Sequence, residues 1–313
     1  MDENAVNDVI NNEQAPEGNG TKTSTPEKRI KAEYIILAIV PSAILMMIQT
    51  IAQIPFLILA AVNLVNEGLV SDDPLADFNT IIHIFNDRYA ICMYVIYSVL
   101  GLIVFGLWYF KGYVKKEPRV KLNDVFGIKS IVAVICLVIS LNFVIDALMV
   151  LIKVFLPDLM NQYHELIEMS GLTTNPWIIN IYTVTLAPIL EELCFRGVTF
   201  KVLEKSGIKP VYIFIITSAI FGAVHMIPVQ VVYAFIIAMF LAFLRYRYRS
   251  ILLPLVAHIL FNVLGTYCVD LINMIETSDG VTLIIGGISM FFVVFSIVLI
   301  NSDKKAYRPA VSK

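Results

Sequence analysis

Apolar residues fill long blocks of the chain, and polar residues gather between the blocks. Runs long enough to cross a bilayer, about 20 residues, fall at 34–65, 89–114, 130–156, 177–203, 209–226, 229–245, 250–271 and 281–300. The pattern predicts an all-α integral membrane protein with about eight transmembrane helices. Between the third and fourth runs, in LPDLMNQYHELIEMSG, Leu159, Tyr163, Leu166 and Ile167 recur at helical spacing among polar residues, which predicts an amphipathic helix lying at the membrane surface. In the sixth run Ala234, Ala238 and Ala242 repeat every four residues, a small-residue stripe that lets helices approach closely. The first 31 residues are too polar to bury a core and predict a disordered tail. No cleavable signal peptide is expected ahead of the first run, which then serves as its own insertion signal.

Composition agrees: 313 residues are 58% hydrophobic and 15% charged, with a mean hydropathy of +0.79. The net charge of −2 gives no global bias toward nucleic acid or an acidic substrate. The distribution of charge says more, because Lys and Arg crowd loops on the cytoplasmic side. Basic residues cluster in the tail, at 111–129, at Arg196 to Lys209, at Arg245, Arg247 and Arg249, and after residue 303, leaving only Arg88 and Lys153 on the other side. Both termini are therefore expected in the cytoplasm. Cys92, Cys136, Cys194 and Cys268 lie in apolar runs without metal-type spacing and read as free thiols.

Three stretches break the apolar pattern: EELCFR at 191–196, FGAVH at 221–225 and HILFN at 258–262. A charge near the middle of a membrane helix costs about 2.5 to 3.5 kcal/mol, so such residues signal function or a partner. Residues four apart share a helix face, which pairs Glu192 with Arg196 and leaves Glu191, about 100° away, free for other work. His258 and Asn262 project together, and Phe221 sits one turn from His225. With a turn near KSGIKP, a rise of about 1.5 Å per residue puts Glu191 roughly 21 Å and His225 roughly 24 Å along antiparallel neighbours, so they come level. Counted from residue 250, His258 lies about 12 Å and Asn262 about 18 Å in, somewhat shallower. Pro188 should bend the helix near the carboxylates. A carboxylate in dry surroundings can take a proton from water, a neutral histidine can orient that water, and His or Asn donors can hold an oxyanion, the elements of peptide hydrolysis without a covalent intermediate. Each residue also has a structural reading: Glu192 with Arg196 as a buried ion pair, Asn262 as a bond between helices.

These residues resemble a known family. EELCFRG is similar to the EExxxR motif, FGAVH to FxxxH, and HILFN to HxxxN/D of the CAAX prenyl protease type II and bacteriocin-processing (CPBP, ABI) intramembrane proteases, over roughly residues 175–270. The resemblance implies a glutamate-type membrane endopeptidase, historically grouped with metalloproteases, acting on a peptide or membrane-protein substrate within the bilayer. It implies Glu191 as the base that activates water together with His225, with His258 and Asn262 as the donors that stabilise the oxyanion, Glu192 and Arg196 as supports, and Phe221 as packing. It implies no cofactor and no nucleic acid, with zinc on Glu191, His225 and His258 as the chemical alternative. The alanine stripe stands where relatives often carry glycines. The expected location is a bacterial plasma membrane, multi-pass. The domain reading is a tail over 1–31, N-terminal helices with the interfacial helix over 32–174, the protease core over 175–270, and a last helix and C-terminus over 271–313.

Cys194 sits between the glutamates and Arg196, but apolar surroundings make a thiol inert. HELIE at 164–168 resembles H-E-x-x-H, yet Glu168 replaces the second histidine, so it reads as part of the interfacial helix. Asp146 is a further buried acid that either lines the cavity or bonds a neighbour. Two other functions compete: a noncatalytic membrane scaffold or immunity protein, and a proton-coupled transporter, against which stands the lack of paired interrupted helices.

Overall fold

The computed structural model describes residues 30–116, 120–169 and 180–306; the tail through residue 29, the basic residues Arg119, Arg308 and Lys313, and the start of the fourth run lie outside them. Within the described residues the chain is helical without strands. Its helices are α1 (Ala32–Asn66), α2 (Pro74–Gly112), α3 (Ile128–Phe155), α4 (Pro157–Met169), α5 (residues 180–206), α6 (Pro210–Ala223), α7 (Pro228–Tyr248), α8 (Leu252–Tyr267), α9 (Val269–Ile275) and α10 (Asp279–Ser302). Five of these, α1, α2, α3, α7 and α10, are long and apolar enough to cross a membrane. At about 1.5 Å per residue, α6 and α8, with 14 and 16 residues, fall short of a hydrocarbon layer about 30 Å thick. These two helices are therefore shorter than the apolar runs that predicted them.

The second run was expected to begin at residue 89, but α2 starts at Pro74, with Asp73 capping it by accepting from Leu75 N–H at 2.9 Å. Its first turns are polar, which hides them from a search for apolar blocks. Large side chains such as Phe291, Phe295 and Ile288 of α10 lie more than half exposed. Apolar surface presented so freely has lipid as its natural solvent, and the chain is a multi-pass membrane protein.

One core joins α1, α2, α5, α6 and the alanine stripe of α7. A second joins α3, α7, α8 and α10, so α7 faces both. The stripe behaves as expected: Ala234, Ala238 and Ala242 are buried, and α6 comes so close to α7 that a Cβ on Gly222 would sit 2.7 Å from Val231 O. Helix α2 lies along α5 in the same direction. Tyr94 stacks on Tyr182 at 4.5 Å, Gly101 admits Leu190, and Gly197 meets the Tyr109 ring; these contacts keep an almost constant offset. In α4, Leu159, Met160 and Tyr163 pack toward Ile152, Val229 and Tyr233. Leu166, expected on the same face, is exposed, as are His164 and Glu168.

Candidate active site

The carboxylates lie on α5, which is not a regular helix. Residues Tyr182–Leu186 and Glu192–Thr199 are π-helical, with Ala187–Glu191 in α geometry between them. Each π stretch has a local consequence. Ala187 N–H bonds Tyr182 O instead of Thr183 O, and Pro188 has no N–H to offer, so Thr183 O is left over. Asn262 of α8 fills the gap, its Nδ2 donating to Thr183 O at 2.8 Å. The bend expected at Pro188 is realised as this change of helical register.

Glu192 and Arg196 pair as the i, i+4 spacing requires, Nη1 to Oε1 at 2.8 Å, with both side chains fully buried. Arg196 Nη2 also donates to Ala238 O at 3.2 Å, and its guanidinium lies 4.6 Å above the centre of the Phe221 ring. His258 Nδ1 meets the same Glu192 oxygen at 3.1 Å. A carboxylate only accepts, so Nδ1–H donates and Nε2 is turned toward Glu191, whose Oε2 is 3.6 Å away. Glu191 keeps 23% of its side chain exposed and His258 only 7%, so one carboxylate borders open space while the other is enclosed.

His225 lies just past the end of α6. Its Nδ1 faces Phe221 O at 2.9 Å, which must accept, leaving Nε2 as the reactive nitrogen. The next residue, Met226, is held at φ 59°, a left-handed conformation that strains a side chain of this kind, and Ile227 N–H closes the turn on His225 O at 2.8 Å. Phe221 packs at the centre of the site, its ring meeting Phe195, His225 and His258 at 5.0, 5.0 and 5.9 Å.

Of the expected residues, Glu191, Glu192, Arg196 and His258 are in mutual contact, the Phe221 ring lies against both His225 and His258, and Asn262 meets Thr183 O. Sequence depth set Glu191 level with His225, whereas the imidazole beside Glu191 is His258; among the described residues no hydrogen bond or ion pair joins Glu191 to His225. A π turn rises less per residue than an α turn, so straight-rod counting overestimates the depth of Glu191, and the Glu191 and His258 side chains meet despite the shallower count for His258. Asp146 on α3 has Glu276, before α10, as its electrostatic neighbour. Cys194 is fully buried. Among the described residues no group of three or more His, Cys, Asp or Glu side chains is arranged to hold a metal ion; Glu191, His225 and His258, the set considered for zinc, form no such group.

Residues 173–264 match the Rce1-like family, described as type II CAAX prenyl endopeptidase Rce1-like. Over this segment, less than a third of the chain, the sequence is similar to an Rce1-like domain. No curated protein and no solved structure matches it. The Rce1-like domain contains every residue of the cluster, and its family is one of peptidases. Several contributors to the site were not anticipated. Tyr97 of α2, outside the Rce1-like domain, and Tyr182 lie within electrostatic reach of Glu191; nothing in the apolar run around Tyr97 singles it out. Arg245 and Arg247, expected in a loop, are buried inside α7, and Arg196, grouped with the loop charges, is buried in α5. Pro188 is the one local signal that a carbonyl nearby needs an outside donor.

Proposed function

We propose that the chain is an intramembrane endopeptidase that hydrolyses a peptide bond of a peptide or membrane-associated substrate with water activated by Glu191. The observation that carries this reading is the approach of the half-open Glu191 to His258 at 3.6 Å, with His258 backed by the buried Glu192–Arg196 pair. Glu191 takes a proton from water as the oxygen adds to the scissile carbonyl. His258 donates through Nδ1 to Glu192 and so turns Nε2 into the site, where a proton on Nε2 can serve the oxyanion, a carboxylate–imidazole arrangement in which Glu192 orients rather than reacts. Asn262 has one amide N–H engaged by Thr183 O and one to spare for the same oxyanion. The reactive Nε2 of His225 orients the water. Glu191 then returns its proton to the amide nitrogen as the C–N bond breaks.

The domain's name covers prenylated C-termini as one substrate class; an unprenylated peptide precursor, such as a bacteriocin or pheromone, is the other. The alternation of basic residues supports cytoplasmic termini in a bacterial plasma membrane, since Lys111, Lys121, Lys205, Lys304 and Lys305 keep the pattern without the buried arginines.

The test is cleavage of a peptide library by detergent-purified protein, with Glu191→Ala alongside and chelator added to both. Loss of the base should slow turnover by about 10² to 10⁴, and wild-type activity should survive chelation. Equal turnover in Glu191→Ala removes the hydrolytic reading and favours the scaffold. Loss on chelation, restored by zinc, assigns the chemistry to a metal instead.

A further inference from the structure

Arg245 is 1% exposed in the second half of α7. Among the described residues no carboxylate pairs with it, and its Nη2 has no hydrogen-bond partner. An unpaired guanidinium is expensive to bury, and an apolar side chain of similar length would fill the same space without that penalty.

The contact it does make is specific. Arg245 Nε donates to the main-chain oxygen of Arg196 at 3.1 Å. In a regular helix Phe200 N–H would take that oxygen, but here it bonds Phe195 O, closing the π stretch. Arg196 O is the carbonyl the π stretch leaves over, as Thr183 O is the one left over by the stretch before it. Both are answered by side chains from other helices, Asn262 and Arg245. Helix α7 also accepts the Arg196 guanidinium at Ala238 O, seven residues before Arg245 and on the same face. It thus grips Arg196 twice, once through its side chain and once through its backbone, while the Arg245 cation rests 5.5 Å over Phe200.

We infer that Arg245 is a positioning residue: by holding Arg196 O it locks α5 in the π register that stacks Arg196 on Glu192 and presents Glu192 to His258. Without that donor, Phe200 N–H has an unfilled carbonyl within reach, and α5 can relax toward α pairing. Residues on one side of the stretch then rotate relative to the other, and the Glu192–His258 contact loosens. Arg245 touches no reacting atom.

The kinetic consequence rests on the hydrolytic reading; the structural one does not. The experiment uses the full chain in micelles with Arg245→Met, which keeps bulk and loses the donor, and Arg245→Lys, which keeps a donor and the charge. Two readouts are taken: amide hydrogen exchange of peptides covering 192–206, and kcat and KM on a cleaved peptide. Arg245→Met should speed exchange within 192–206 and not in α10, and lower kcat by about 10²-fold, the scale of a misplacement near 1 Å, with KM within about twofold. Arg245→Lys should recover most of both. Unchanged exchange in Arg245→Met overturns the inference whether or not the protein is active. Faster exchange with unchanged kcat, or a Lys variant no better than Met, overturns it as well. Failure of the hydrolytic reading shows separately, as Glu191→Ala turning over like wild type, and then the exchange comparison alone decides.

Discussion

Removing one partner of the Glu192–Arg196 pair gives the clearest quantitative test of the buried site. Both side chains are at 0% exposure, 2.8 Å apart, and Glu192 Oε2 and Arg196 Nε have no other partner. Glu192→Met strands a guanidinium that cannot give up its proton, left with Ala238 O, the Phe221 ring and the more distant charge of Glu191. Loss of one partner of a buried pair costs about 3–5 kcal/mol, and this variant should sit at the upper end. Arg196→Met strands a carboxylate that still has His258 Nδ1–H at 3.1 Å, so it should sit at the lower end. The double variant removes both charges and fills the space with apolar atoms. It should be more stable than either single variant, because a well-packed apolar replacement of a buried pair is often neutral or better. Unfolding in mixed micelles by a denaturing detergent, followed by the fluorescence of Trp108 on α2, measures all three. Additive losses in the double variant, or single losses below about 1 kcal/mol as for surface pairs, would refute the claim that the two charges are interdependent and dry. The exposed Arg88–Glu67 pair is the internal comparison: Glu67→Gln should be indistinguishable from wild type in the same titration.

Other expectations follow from single contacts. A Cβ on Gly286 would lie 2.3 Å from Ala147 Cβ and 3.0 Å from Phe143 O, so Gly286→Ala should destabilise the α3–α10 contact by about 1–3 kcal/mol; its neighbour Gly287 faces open space, and Gly287→Ala should be neutral or stabilising by up to about 1 kcal/mol in the same titration. Burial pushes the Glu276 carboxyl above its ordinary value near 4.5, against the opposing bond from Thr282. The folded state therefore favours the protonated acid, and stability is present below the ordinary value and lost as pH rises through the raised one; Glu276→Gln should flatten that decline in unfolding measured from about pH 4 to pH 8. Asn262→Ala should lower kcat by about 10² to 10³ if its spare N–H serves an oxyanion, and reduce stability by about 1–3 kcal/mol through the exposed Thr183 O; a stability loss without a kinetic one would confine Asn262 to joining helices. Cys194→Ala should retain turnover, because the thiol is fully enclosed; abolished turnover in a folded variant would reopen a nucleophilic role.

The apolar runs, the 192–196 pairing, the nearness of Phe221 to His225 and the alanine stripe were all legible because each depends on one helix and its periodicity. The start of α2 was not, since Asp77, Asn79, Asn86 and Arg88 look like loop residues until their partners appear: Asn86, buried, donates to Met169 O at the end of α4. The contact of Glu191 with His258 was hidden for the same kind of reason. Depth along a straight rod is a local calculation, while the π register of α5 is held by Asn262 and Arg245, which are 79 and 49 residues away from the carbonyls they serve. Arg245 was masked by a rule that works: basic residues near a helix end usually mark the cytoplasmic side, and nothing in the sequence separates one that faces water from one that turns inward.

Because α5 carries surplus residues in its two π stretches, changes of length and changes of side chain are unequal hazards there. Deleting a single residue between 192 and 199 would let ordinary pairing resume and swing one half of the helix by about 100° against the other, carrying the carboxylates away from His258 with every side chain still present. This segment should therefore tolerate wide drift in its apolar letters and almost none in their number.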